Sequence, residues 1–355
     1  MEFLGWDIGG VHLKLSRLVV DNGGAARMAT SIVPFEIWKE PAGLPDRLRA
    51  MRDAAGRMIA GQAVTMTAEL SDVYPDRAAG VRAILTACRT VLGPHSFRVL
   101  DRRGDLLAQD DAMERPQAVA AANWMATARL AARRAGTAVL IDTGSTTTDI
   151  IPIVDSSPRP LETTDTGRLM SGELVYSGVL RTPPSSYVTR VPLLDGWCRV
   201  APEHFAISAD VHRLLGRIDE DSYTVPTPDG RGKGRAAAAV RLARLVCAEP
   251  ADLGDEAIDL LARFLADRQA EGIAAAIRQV IERFPAPAPR LEAIVAGAGA
   301  FLAATAAGRA GLAARALRDL FPRVEGGTWD AAAPSGALAL LIAEQAGAID
   351  LGARA

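Results

Sequence analysis

Two stretches lying 135 residues apart, counted from Asp7 to Asp142, follow one plan, and this repetition constrains the fold of the 355-residue chain more than any other feature. In residues 3–20 an apolar run enters Asp7, turns at Gly9-Gly10 and leaves as an alternating segment, with Val11, Leu13 and Leu15 on one face and His12 and Lys14 on the other. In residues 138–153 an apolar run enters Asp142, turns through Gly144-Ser145-Thr146-Thr147 and leaves past Asp149 into a second apolar run. Strand-like runs on either side of a short polar turn read as an antiparallel hairpin. Placing Asp7 on Asp142 also places Gly9 on Gly144, so the chain predicts two similar halves with a ligand between them.

The turns carry the chemistry. A glycine lets the backbone approach a ligand closely, and successive N–H groups with hydroxyls beside them can hold phosphate oxygens. Gly9, Gly10, Gly144, Ser145, Thr146 and Thr147 are the candidate phosphate-binding residues, although Thr146 and Thr147 also suit a plain strand. Asp7 and Asp142 flank the cradle, where carboxylates would repel a bare phosphate. A Mg2+ ion between acid and phosphate resolves the conflict, which makes Asp7 and Asp142 the candidate metal ligands. The rival reading has both acids capping turns; their matched placement favours phosphate and metal. All but three of the 40 Lys and Arg residues are arginine, the exceptions being Lys14, Lys39 and Lys233. Lys14, beside the first turn, is therefore either a compact cation against phosphate or a solvated strand residue. Late in the chain an apolar segment at 291–296 enters Gly297-Ala-Gly299, a small-residue turn opening a helix. These glycines serve a third ligand contact or close helix packing.

Between the hairpins the pattern predicts strands at 30–35, 63–67 and 97–100 and helices at 45–58 and 77–92, as in a sheet covered by helices. Glu69 and Asp72, just past the 63–67 strand, lie where open α/β sheets put ligand-binding loops, although solvated loop acids are the favoured reading. Pro116 opens an Ala-rich helix expected to run over 118–134 and cross into the second half. A strand is expected at 161–166. Residues 167–235, rich in Pro, Gly, Tyr and charge, have the texture of a lid or substrate-recognition insertion. Helices follow at 234–248, 255–267 and 272–284, then a Pro-rich break at 285–289 and a last helix at 335–346. The expected domains are 1–117 and 118–355, with the terminal helix (333–347) packing back on the first and packed helices forming the hinge.

A net charge of −2 argues against a general nucleic-acid binder, and no apolar run reaches the ~18 residues of a membrane span. Cys88, Cys198 and Cys247 fit neither a disulfide framework nor a thiolate zinc site, which points to a reducing cytoplasm. His204 and His212, near Glu203 and Asp210, have the wrong helical phase for a good metal site. His12 and His95 read as ordinary residues.

Asp7-Ile-Gly-Gly10, Asp142-Thr-Gly-Ser-Thr-Thr-Thr-Asp149 and Gly297-Ala-Gly299 resemble, in order and spacing, the phosphate and nucleoside motifs of the actin-like ATPase superfamily, which includes sugar kinases and heat-shock chaperones. Further strings narrow the resemblance: Gly172-Glu-Leu-Val-Tyr-Ser-Gly-Val-Leu-Arg-Thr-Pro183, Glu203-His-Phe-Ala-Ile-Ser-Ala-Asp-Val-His-Arg213, Asp229-Gly-Arg231 and Arg241-Leu-Ala-Arg244. Within the superfamily the chain resembles the hydantoinase/oxoprolinase-related branch and, more closely, the furan–phenol ether synthases of methanofuran and methylofuran biosynthesis. His212 departs from that family's string, where tyrosine is expected, so a substrate role is not carried over to it.

The resemblance implies an α/β, two-domain actin-like ATPase (ribonuclease H-like) fold, with duplicated mixed sheets flanked by helices and an interdomain cleft. It implies a transferase in which the phenol oxygen of a tyramine-, glutamyl-tyramine- or tyrosine-type substrate attacks (5-(aminomethyl)furan-3-yl)methyl diphosphate and expels diphosphate. Mg2+ is the expected cofactor; ATP or ADP is compatible but not required. The expected partners are small molecules, not nucleic acid or membrane, and a homodimer is compatible with the sequence. A departing diphosphate needs its growing charge stabilised, a task for Asp7, Asp142 and Lys14. A phenol, with an ordinary pKa of about 10, needs a base, for which Asp149, Asp165 and Glu173 are candidates. Arg168, Glu173 and Arg181 form either a structural ion-pair set or a site for substrate anions and amine. The alternative enzyme reading is an ATP-dependent small-molecule kinase or hydantoinase/oxoprolinase-like amidohydrolase; a non-enzyme reading is a nucleotide-dependent sensor or filament subunit.

Overall fold

The computed structural model describes residues 1–21, 23–56, 58–284 and 291–352, so the expected Pro-rich break at 285–289 lies outside the described residues. The first half opens with β1 (Glu2–Ile8), β2 (His12–Val20) and β3 (Ala26–Pro34) and continues through α1 (Leu44–Ala55), β4 (Ile59–Met66), α2 (Arg77–Leu92), β5 (Arg98–Leu100) and β6 (Leu106–Leu107). Short helices α3 (Gln109–Glu114) and α4 (Pro116–Val119) lead to α5 (Asn123–Ala132) and the second hairpin, β7 (Ala138–Thr143) and β8 (Thr148–Val154). Next come β9 (Ser157–Pro158), α6 (Asp165–Ser171), β10 (Leu174–Val175), a small hairpin of β11 (Arg190–Leu193) and β12 (Gly196–Arg199), and α7 (Ser208–Leu214). The chain continues with α8 (Arg235–Arg244), α9 (Pro250–Ile281), β13 (Glu292–Ala296), α10 (Ala300–Arg309), β14 (Ala313–Ala316), β15 (Val324–Glu325) and α11 (Ala333–Gln345). Among the described residues no helix is long and apolar enough to cross a membrane.

The duplication extends from the hairpins to whole sheets. One sheet runs β3-β2-β1-β4-β5 through its centre, the other β10-β8-β7-β13-β14. In both, the first two pairings are antiparallel and the next two parallel. Asp7 lies opposite Lys14 in the first hairpin, and Asp142 opposite Asp149 in the second. The two sheets meet through a helix pair. α11 lies on β1, β2 and β4 and packs against α5, which lies beside β7 and β8. A β-carbon on Gly5 would come within 2.0 Å of the Ser335 carbonyl, so only glycine lets α11 sit this close to β1. Ser16 and Ser335 share a buried hydroxyl hydrogen bond of 2.8 Å across the same contact. One apolar core therefore runs from Phe3 and Leu18, through Leu338 and Trp124, to Leu140 and Ile151.

Three expected elements are corrected. The helix over 118–134 is broken: Ala121 has φ +48°, α4 ends before it and α5 starts after it. No strand forms at 161–166; Thr164 instead caps α6, its hydroxyl accepting from the Gly167 N–H. The helices expected at 255–267 and 272–284 are one helix, α9. Gly272 is absorbed in its interior, and the kink falls at Gly254, where φ is +77°. The apolar stripe through Leu265, Ile273 and Ile277 is buried, and tertiary burial outweighs the ~1 kcal/mol cost of a helical glycine.

Candidate active site

Both hairpin turns open onto one cleft of about 400 Å³ between the sheets. Their local geometry repeats. The Gly9 N–H donates to the His12 carbonyl (3.0 Å), and the Gly144 N–H to the Thr147 carbonyl (2.9 Å). The turn carbonyls are tied back from outside. Those of Gly10 and Val11 accept from Ile37 and Phe35, while Gly144 accepts from Val179 and Ser145 from Leu180 and Arg181. With the carbonyls held away, the N–H groups of Gly10, Val11, Ser145, Thr146 and Thr147 have no protein partner among the described residues. Gly178 makes this backing possible: a β-carbon there would lie 2.5 Å from the Ser145 carbonyl carbon and the Thr146 nitrogen.

The acids sit at the ends of the entering strands. Asp7 is buried and accepts from Lys14 Nζ at 3.0 Å, while its other oxygen, Oδ1, is enclosed without a hydrogen-bond partner. Burial alone would lower the Lys14 pKa, but the charge and hydrogen bond of Asp7, with Asp142 and Asp149 beyond, raise it above the ordinary value. Asp142 accepts from the Thr127 hydroxyl of α5 at 3.0 Å. Burial, and then the neighbouring Asp149, push its pKa up to about 7 against the pull of Thr127 and Lys14. Burial likewise raises Asp149, opposed chiefly by Arg168, whose Nη2 donates to Oδ1 at 2.8 Å.

Asp7, Gly9, Gly10, Lys14, Asp142, Gly144, Ser145, Thr146, Thr147, Asp149, Asp165, Arg168, Arg181 and Gly297 all line this cleft, whereas Glu173 and Gly299 do not. Glu173 is fully buried; its carboxylate takes the N–H groups of Leu161 and Glu162 and an ion pair with Arg283 at 2.8 Å. It anchors the segment before α6 and is no base for a substrate in the cleft. Gly299 is a packing residue, since a β-carbon would lie 2.5 Å from the Thr143 methyl and 3.0 Å from Val179. Gly297, at φ +87°, lies on the cleft wall, and a β-carbon there would meet Asp142 Oδ1 at 2.4 Å. Arg168 is 1% exposed, bonded to Asp149 and the Glu173 carbonyl, with its guanidinium 4.2 Å from the Trp124 ring centre. It is committed to neutralising Asp149, not free for a substrate anion. Asp165 pairs with Arg77 across the two halves at 3.2 Å. Arg181 reaches Thr146 Oγ1 at 3.5 Å and lies over Trp38.

Several cleft residues escaped the sequence reading. Trp38, Trp124 and Tyr176 line the cleft, and so does His12. Glu69 is not a solvated acid: it is 1% exposed, both carboxylate oxygens lack partners, and burial pushes its pKa up to about 7. Asp72 is exposed at the cleft mouth. His204 is exposed, while His212 is buried against Gln269 at 3.1 Å, so the two histidines do not form a site. The distinctive strings brace the insertion, where Arg241 pairs with Asp210 and Asp229, and Arg244 with Asp229. These contacts require the folded tertiary structure and left no spacing signal.

The model of the Hydantoinase/oxoprolinase family matches residues 60–324, three quarters of the chain. The chain belongs to this family. A relative from Methanocaldococcus jannaschii, (4-{4-[2-(gamma-L-glutamylamino)ethyl]phenoxymethyl}furan-2-yl)methanamine synthase, is 34% identical over 282 residues, covering 79% of this chain and 82% of its own. The synthase of the same name from Methanococcus vannielii is 39% identical over 123 residues, covering 34% of this chain and 55% of its own. These relatives place the family member beside the methanofuran-biosynthesis synthases that its strings resemble. A nucleotide-free structure of acetone carboxylase superposes with a TM-score of 0.60 at 10% identity, over 95% of this chain and 70% of that one. The fold is the expected actin-like ATPase fold, with duplicated mixed sheets flanked by helices.

Proposed function

We propose that this family member is a synthase that joins a furanylmethyl diphosphate to a tyramine-, glutamyl-tyramine- or tyrosine-type phenol, forming an aryl ether and releasing diphosphate. The observation that carries the reading is the facing pair of turns. Unpartnered N–H groups from both hairpin turns converge with Lys14, Asp7 and Asp142 on one cleft, in a chain whose 34%-identical relative is named for a phenoxymethyl-furan amine. Diphosphate needs this arrangement because its charge grows as the carbon–oxygen bond breaks, and donors aimed at that charge stabilise the transition state more than the ground state. The furan ring shares positive charge with the carbon losing diphosphate, and Asp7, Asp142 and Asp149 favour that cation. Trp38 and Tyr176 supply aromatic surface for the two flat rings.

Asp7 and Asp142 suit Mg2+. The enclosed, unpartnered Asp7 Oδ1 is an oxygen ligand in waiting. Among the described residues no three His, Cys, Asp or Glu side chains gather into a cage, and Mg2+ characteristically binds one or two carboxylates plus substrate phosphate and water. Bound there, it would neutralise charge on the departing diphosphate. The chain's own residues hold the diphosphate by turn N–H groups, position it with Lys14, and shield the reacting carbon with the aromatic walls.

The test incubates the protein with Mg2+, the furan diphosphate and the phenols, and follows ether and diphosphate by mass spectrometry. Ether formation is expected, with Asp142→Asn folded but at least ~100-fold slower, as for loss of a transition-state charge contact. No ether with any phenol alongside rapid ATP turnover would replace this reading by an ATP-dependent kinase or amidohydrolase.

A further inference from the structure

His12 opens β2, two residues before Lys14, and lines the cleft although only 4% of it is exposed. Its Nε2 is buried without a hydrogen-bond partner among the described residues. Leaving such an atom unsatisfied costs about 1–3 kcal/mol, so a buried orphan in a cleft wall calls for a ligand group. The charges facing the ring are Lys14 on its own strand, Arg181 from the loop behind the second turn, and Asp7 on β1. Burial, and then the two cations, outweigh Thr224 and Asp7 and lower its pKa to about 4. A neutral imidazole carries one N–H and one lone pair. In the tautomer with its N–H on Nδ1, the orphaned Nε2 offers the lone pair and needs a donor.

Diphosphate oxygens are acceptors and cannot supply that donor. Arg181 acts on His12 and also lies 5.8 Å from the centre of the Trp38 ring. His12 and Trp38 thus line the same cleft as the phosphate-facing turns, with Arg181 near both, and a phenol fits against that aromatic wall. The carboxylates considered as bases are otherwise engaged: Asp149 by Arg168, Asp165 by Arg77 and Glu173 by Arg283.

Building on the ether-synthase reading, we propose that His12 is the catalytic residue that accepts the phenol proton at Nε2. The bond between the furanylmethyl carbon and the diphosphate oxygen breaks, and its electron pair leaves with diphosphate. A lone pair of the phenol oxygen forms the new carbon–oxygen bond. The O–H electron pair stays on the ether oxygen, and the proton passes to Nε2, giving an imidazolium that returns it to water. A base of lowered pKa suffices here, because the phenol O–H grows more acidic as its oxygen bonds to the cationic carbon and the proton passes to Nε2 while that bond forms.

The test compares two phenols, tyramine and its 3-nitro derivative, whose hydroxyl is largely ionised at pH 8. Wild-type protein should use both within a few-fold. His12→Phe should lose about 100- to 1000-fold in kcat with tyramine, the usual range for general-base loss, yet fall less than about fivefold with the ionised nitrophenol, with KM for the furan diphosphate unchanged. Equal losses with both phenols, or no loss with either, would overturn the role of His12 while leaving the synthase reading intact. Ether formation by neither phenol in wild-type protein would overturn both. His12→Gln, which preserves polarity and approximate volume, is measured in the same way in case the Phe variant fails to fold.

Discussion

Lys14 and Asp149 hold the same place in the two hairpins, one opposite Asp7 and the other opposite Asp142. The first pair attracts and the second repels. The repulsion is tolerated because Arg168, itself fully enclosed, is bonded to Asp149 and stacked on Trp124. Arg168→Leu should therefore destabilise the protein by roughly 3–5 kcal/mol, because it leaves a buried carboxylate unpaired. Adding Asp149→Asn should recover part of that loss in denaturant melts; no recovery would show that Arg168 acts by packing alone. Glu69 gives a pH dependence. Its folded pKa of about 7 lies above its ordinary value of 4.5, so the native state binds the extra proton and stability falls as pH rises from about 5 to about 8. Glu69→Gln should flatten that decline and raise the melting temperature more at pH 8 than at pH 5. At this scale the sequence revealed what was repeated: Asp7, Asp142 and the turn glycines stand out because two copies agree. Glu173 and Gly299 misled because a carboxylate or a glycine looks the same in sequence whether it faces ligand or protein. His12 reads as an ordinary residue in sequence even though the strand alternation puts it on the same face as Lys14, because only the fold shows its ring enclosed in the cleft wall.

Elements were legible where apolar period and punctuation agreed, as at α2, whose expected and observed bounds coincide and whose start is capped by Asp76. They were misread where tertiary contact decided. The break at Ala121 puts a non-glycine residue at positive φ on the cleft wall, something no helix-propensity argument over 118–134 could show. α9 runs through Gly272 because its neighbours bury its apolar stripe. The contact between β1 and α11 yields a sharper expectation. Gly5→Ala would force the Ser335 carbonyl and Ala339 N–H away and separate the helix from the sheet. A loss of at least ~2 kcal/mol is expected in thermal or denaturant unfolding, whereas Gly196→Ala, with open space around it, should melt like wild type. An unchanged midpoint for Gly5→Ala would contradict the close packing of α11.

Across the whole molecule, two sheets of matching order each present a hairpin turn to one cleft, and the α5–α11 pair forms the packed joint between them. Duplication was readable because the same residues recur at the same offset. The joint was expected only as packed helices, since the fit between α5 and α11 depends on surfaces that no single segment displays. The same architecture serves ATP-dependent acetone carboxylation in acetone carboxylase, so fold alone leaves the reaction open. The central claim is that the two turns grip a departing diphosphate while a phenol takes its place. Its most direct test is the stoichiometry of a single incubation with Mg2+, furan diphosphate, phenol and ATP. One ether and one diphosphate should appear for each furan diphosphate consumed, with ATP untouched. Diphosphate release without ether, or ether formation strictly coupled to ATP loss, would contradict it.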